Sequence, residues 1–277
     1  MRLAAKWSLI PPLPLPLAFC VRMSRVFITG SADGLGRLAA QRLVAGGHEV
    51  VLHARSDARG REALAAVPGA AGMLAGDLAA IAETRALAER ANAGGRFDAV
   101  IHNAGIGYRE ARLVPTEDGL PPVFAVNVLA PYLLTALMDR PDRLVYLSSG
   151  LHRSGDPDVA DLHWRHRPWS GMQAYSDSKL LDVLLAFGVA RRWPAVRSNA
   201  VEPGWVATKM GGPGAPDDLQ AGAETQAWLA VSEDPAAQVS GRCFYHLAQR
   251  ETHPGARRAD LQDALLDACE GLTGVAI

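Results

Sequence analysis

Tyr175 and Lys179, four residues apart in Tyr175-Ser-Asp-Ser-Lys179, are the pair in this chain best suited to moving a proton. At that spacing two helical side chains share one face, one turn apart. Free tyrosine has a pKa near ~10. An ammonium about 4 Å away contributes on the order of 4 kcal/mol at an effective dielectric of ~20, or up to roughly 3 pKa units. The expectation is a phenol brought towards neutrality and usable as acid and base. A surface helix could carry the same two residues with no such role, so the weight falls on what surrounds them.

The elements around them follow from apolar spacing. Residues 169–193 predict a helix, because Leu180, Val183, Leu184 and Phe187 form a stripe at three- and four-residue intervals. From Arg25 onward short apolar runs alternate with helical ones. Strands are expected at 26–29, 48–53, 73–76, 97–102, 143–147 and 196–201, with a seventh at 241–246. Helices are expected up to about residue 46, then at 56–67, 78–92 and 121–138, the last bent near Pro131. An amphipathic helix over 259–272 is expected to cover the sheet edge. Strands apolar on both faces, alternating with helices, predict an α/β fold: a doubly wound parallel sheet of the Rossmann type in a single domain. In that architecture ligands bind beyond the carboxyl ends of the strands.

The residues at those ends are consistent with a dinucleotide site. After the first strand, Gly30-Ser31-Ala-Asp33-Gly34-Leu35-Gly36 forms a Gly-x3-Gly-x-Gly turn into a helix. Its glycines let the backbone approach a pyrophosphate, which the helix N-terminus stabilises. After the second strand, Ala54 leaves the place where an NAD site usually carries a carboxylate, and Arg55 could fork onto a 2′-phosphate. NADP(H) is therefore favoured, with NAD(H) still open. Asp77-Leu78 follows the third strand, where the carboxylate could hold an adenine amino group or N-cap the next helix. Asn103-Ala104-Gly105 follows the fourth and could tie strand ends together while leaving room for a ribose. Ser148-Ser149-Gly150 follows the fifth, where a hydroxyl could hold a substrate oxygen against the Tyr175 phenol. After the sixth, Pro203-Gly204 turns the backbone towards Val206 and Thr208, the latter placed to bond a carboxamide.

Composition narrows the class. The chain has 277 residues, enough for one large domain, and a net charge of -1 that suggests neither a nucleic-acid footprint nor a polybasic membrane patch. Cys20, Cys243 and Cys269 have neither disulfide density nor metal-ligand spacing, which fits a reducing, cytoplasmic setting. In residues 1–22, Pro11, Pro12, Pro14 and Pro16 forbid a continuous helix. That segment is expected to be a disordered tail, or to precede a working start near Met23. Residues 23–277 then form one catalytic domain with a substrate lid over about 205–232. His152, His163 and His166 lack an accompanying carboxylate or cysteine cluster, so no metal is expected, and they are placed on the outer wall of a substrate cleft or in solvent. Trp164, Trp169, Trp205 and Met210 could form its apolar lining.

Together these residues resemble the short-chain dehydrogenase/reductase family. The motifs are Thr29-Gly-x3-Gly-x-Gly36, Asn103-Ala-Gly105, Ser149, Tyr175-x3-Lys179 and Pro203-Gly204, spanning about 24–206. The insertion at 151–170 and the Ala54-Arg55 strand ending resemble the retinol-dehydrogenase-like and WW-domain-oxidoreductase-like branch, where that ending goes with NADP. Asp33 departs from the basic residue some NADP-preferring members carry. The resemblance implies an oxidoreductase that interconverts a ketone or aldehyde and an alcohol. It makes Tyr175 the acid/base, Ser149 the holder of the oxyanion, Lys179 a ribose ligand and tuner of Tyr175, and Asn127 part of a proton relay. It also implies a homodimer or homotetramer through the fourth and fifth helices. A cofactor-binding member without turnover, and a dehydratase or epimerase that retains its cofactor, are the alternatives.

Overall fold

In β1 (Arg25–Ile28), Val26 and Ile28 point into one core and Phe27 into another, all fully buried. β2 (Glu49–Ala54), β4 (Ala99–His102), β5 (Arg143–Leu147) and β6 (Arg197–Val201) are likewise buried along nearly their whole length. Such strands need cover on both faces. One layer is supplied by α1 (Gly34–Ala45), α2 (Asp57–Ala66) and α7 (Leu219–Val231). The other consists of α3 (Ile81–Ala93), α5 (Ala130–Leu137) and α6 (Gly171–Arg192). The structure is a computed structural model describing residues 22–277, so the expectations for the proline-rich tail lie outside the described residues.

With β3 (Gly72–Ala75), β7 (Cys243–Tyr245) and β8 (Ala248–Gln249), the sheet order is β3-β2-β1-β4-β5-β6-β7-β8. All neighbours pair in parallel except β7 and β8. This is the doubly wound sheet expected from the sequence. The chain order reverses between β1 and β4, and a crevice opens at the carboxyl ends of that pair.

Three elements differ from the sequence reading. The β7–β8 hairpin was not expected; its turn residues His246 (φ 47°) and Leu247 (φ 66°) are left-handed without being glycine. The bend expected at Pro131 lies earlier, where a π-helical turn at Ala125–Leu129 joins α4 (Pro122–Phe124) to α5. Pro131 sits in the first turn of α5, where a missing N–H is tolerated. Finally, α8 (Ala259–Thr273) packs on α6 through Leu265, Leu266 and Cys269 instead of on the sheet edge. The residues of α6 from Ala174 to Val189 are buried within the single chain. Among the described residues no helix is long and apolar enough to cross a membrane.

Candidate active site

The glycine turn is built by close approach. Gly30 is left-handed (φ 63°), and a Cβ there would stand 2.7 Å from Ala104 Cα. Thr29 Oγ1 accepts from the backbone N–H groups of Asn103 and Ala104, each at 3.0 Å. Asn103 Nδ2 donates to the Thr29 and Gly30 carbonyls, also at 3.0 Å, so the amide does tie the strand ends together. A Cβ at Gly36 would collide with Asn103 Nδ2 and lie 2.6 Å from the Gly30 carbonyl oxygen. Gly36→Ala is therefore expected to cost about 1–3 kcal/mol by overpacking. An unchanged Tm with unchanged dinucleotide affinity would show that the turn yields freely.

His53, absent from the sequence reading, holds this turn from β2. Its Nδ1 accepts from Gly30 N–H at 3.0 Å and its Nε2 donates to the Gly76 carbonyl at 3.0 Å. Burial pushes its pKa down to about 4, so the ring stays neutral as that arrangement requires. Ser31 is fully buried, donating to the Ile28 carbonyl at 3.0 Å and accepting from His53 N–H at 2.8 Å. Its side chain braces the turn from inside and does not face the crevice. Asp77 accepts from Ala79 N–H at 2.9 Å in a local turn, while α3 begins later with Ala80 at its N-cap. The N-cap reading of Asp77 is thus replaced.

The crevice encloses about 850 Å³. It runs from Gly30, Asp33, Gly34 and Leu35 past Arg55, Asp77 and Leu78, then along Asn103, Ala104 and Gly105 to Tyr175, Lys179, Pro203 and Thr208. Left-handed glycines, free N–H groups at the start of α1 and this length fit a dinucleotide. Gly36 lies beneath the turn, and Gly204 and Val206 line an adjoining cleft instead. Arg55 is exposed at the crevice and has no ion-pair partner among the described residues. Asp33 Oδ2 binds both Arg59 Nη2 at 3.1 Å and Lys209 Nζ at 2.5 Å. Those two cations, on α2 and on the loop after β6, went unrecognised in the sequence because only the fold brings them to Asp33.

The adjoining cleft, about 630 Å³, shares Ser148, Tyr175, Thr208 and Met210 with the crevice. Tyr108, Met172, Trp205 and Tyr245 give it aromatic and apolar walls. Trp164 and Trp169 do not join them. They pack edge to face on one another at 5.1 Å, with Arg167 3.7 Å above Trp164. The insertion that carries them is fastened to α6, where Asp177 accepts from Asp156 N–H at 2.8 Å and pairs with Arg167 at 2.9 Å. His152 is buried with its Nδ1 2.6 Å from the Ser149 carbonyl, and His163 reaches the Gly119 carbonyl at 3.3 Å. Neither lines the cleft.

Tyr175, at the junction of the two spaces, is only 6% exposed. Its ring packs edge to face on Tyr108 at 5.5 Å. Ser148 Oγ donates to the Lys179 carbonyl at 2.7 Å, leaving Ser149 as the serine whose hydroxyl approaches the phenol and favours its anion. Asn127, in the π-turn, accepts from Ile106 N–H at 2.8 Å and donates to the Ile106 carbonyl and to Ser178 Oγ. It thereby fixes the loop after β4. Lys179 Nζ lies 5.8 Å from the Tyr175 ring centre, donating to the Leu147 carbonyl at 2.8 Å and to Asp182 at 2.7 Å. The expected acidification of the phenol is not found. Burial raises the Tyr175 pKa, Lys179 and Ser149 oppose that, and Asp182 adds to it.

This fold and this crevice define a dinucleotide-binding oxidoreductase. Residues 24–142 match the family model described as short chain dehydrogenase. The short-chain dehydrogenase chyC of Penicillium rubens is 45% identical over 257 residues, 91% of this chain and 98% of the relative. The chain belongs to the short-chain dehydrogenase family. Among solved structures, an uncharacterized protein from Mycobacterium paratuberculosis superposes with a TM-score of 0.79 at 28% identity, covering 91% of this chain and 94% of its own. A blue fluorescent protein from a metagenomic library, solved with NADPH, shares the fold with a TM-score of 0.64 at 23% identity over 80% and 95% of the two chains.

Proposed function

We propose that this oxidoreductase exchanges a hydride between NADP(H) and a carbonyl/alcohol pair, with Tyr175 as acid and base. The observation that carries the proposal is the position of Tyr175, which borders both the dinucleotide crevice and the aromatic cleft beside it. Bound NADPH would supply the hydride. The residues of the chain do the rest. Ser149 holds the carbonyl oxygen, Tyr175 gives it a proton, and Lys179 faces the crevice near Gly105, where a Cβ would lie 3.6 Å from its Nζ. Arg55, with Arg59 behind it, supports the 2′-phosphorylated cofactor. NADPH consumption with a panel of ketones and aldehydes tests the reading, and net turnover faster with NADPH than with NADH is expected. Cofactor binding without turnover, or an isomerised product with no net cofactor change, would overturn it.

A further inference from the structure

Lys179 and Asp182 form an ion pair that the proposed chemistry does not call for. Their side chains are 5% and 3% exposed, with Nζ and Oδ2 2.7 Å apart on one face of α6. Burial raises the Asp182 pKa to about 7 against the opposing pull of Lys179, so its carboxylate is fully charged at the alkaline pH where a tyrosine titrates. The titratable groups on the neighbouring strands, Tyr146 and His102, carry no charge at neutral pH. From β5, Tyr146 lies within electrostatic reach, and burial raises its pKa. Its hydroxyl meets Thr135 of α5 at 2.7 Å, which in turn reaches His102 of β4 at 3.2 Å. Burial pushes the His102 ring down to about 3, so it stays neutral. On the crevice side Nζ faces Gly105 and Asn127, and Tyr175 itself faces Ser149 and Tyr108 besides these two charges.

We propose that Asp182 is a positioning residue: its carboxylate fixes Lys179 Nζ at the floor of the crevice and offsets the ammonium's field at Tyr175, which keeps the phenol in its proton-donating form and biases the site towards carbonyl reduction. The direction of that bias rests on the hydride-transfer reading above; the charge pairing does not. An unopposed ammonium about 4–6 Å from an acid lowers its pKa by ~1–3 units. An ammonium bonded to a carboxylate presents a dipole whose field decays faster with distance. Alcohol oxidation needs the phenolate and is held back by this arrangement; reduction needs the phenol and is not.

Tyrosinate absorbance, titrated for the cofactor-free wild type minus Tyr175→Phe, reads the phenol directly. Its midpoint is expected at or above the ~10 of free tyrosine, whereas a midpoint below about 8 would mean Lys179 acts unopposed and would overturn the proposal. This arm needs no substitution at Asp182, so it decides the matter even where Asp182→Asn fails to fold. In folded Asp182→Asn, with Tyr175→Phe/Asp182→Asn as its blank, the midpoint is expected to fall by about one unit or more, and Asp182→Glu to restore it. A midpoint unmoved by Asp182→Asn would likewise overturn it. The acidic limb of kcat/KM for alcohol oxidation, along which the phenol ionises, should shift in the same direction. A protein that turns over no carbonyl or alcohol would remove the hydride-transfer reading while leaving the titration to judge Asp182.

Discussion

Tyr175→Phe is expected to lower carbonyl turnover by ~10²–10⁴-fold, with NADPH affinity and Tm almost unchanged. The substitution removes one hydroxyl and keeps the ring, so its edge-to-face packing on Tyr108 at 5.5 Å survives. The lost hydroxyl is the one that meets the Ser149 hydroxyl at the junction of the two clefts. Binding is expected to depend instead on the Gly30 turn, which Asn103 braces, and on the start of α1, which the substitution does not touch. Single-turnover NADPH oxidation beside a fluorescence titration of NADPH separates these effects. Retained turnover would remove Tyr175 from its role, and lost binding would mean that the ring positions the cofactor.

Arg55→Ala is expected to weaken NADPH by about 10- to 100-fold and NADH by little. A hydrogen bond to a charged group contributes about 1.5–3 kcal/mol, and each 1.4 kcal/mol is about tenfold in affinity. Arg55 is the free cation at that end of the crevice among the described residues, whereas Arg59 is already held by Asp33 at 3.1 Å. Two-cofactor binding titrations measure the ratio. Equal losses for both cofactors would show that Arg55 does not read the 2′-phosphate, and a loss confined to Arg59→Ala would move that role to α2.

The sheet was legible because strand burial leaves a local mark: Val26 and Ile28 against Phe27 already describe a strand covered on both sides. The glycine turn and Asn103 were legible for a similar reason, since their chemistry follows from residue type and position after a strand. What escaped depends on distant residues meeting. Lys209 is 176 positions from Asp33, and His53 reaches Gly30 only because β2 lies beside β1. The β7–β8 turn carries His246-Leu247 where a hairpin normally advertises itself with Asn or Gly. Trp164 and Trp169 looked like cleft residues by type, but the insertion folds onto α6 and pairs them with each other. Asp182 is the exception, since an acid three residues after Lys179 was visible in the sequence. Weighing that spacing would have tempered the expected acidity of Tyr175.

On the proposed reaction, the shared wall between the two clefts has a consequence for handedness. In the proposed chemistry Tyr175 and Ser149 would address a bound carbonyl from its oxygen end, with the cofactor reaching it across the residues the crevice and cleft share. A prochiral ketone seated there would offer a single face to the reductant, so its alcohol should emerge as one enantiomer, with the side preferred set by how Trp205 and Met210 orient the larger substituent.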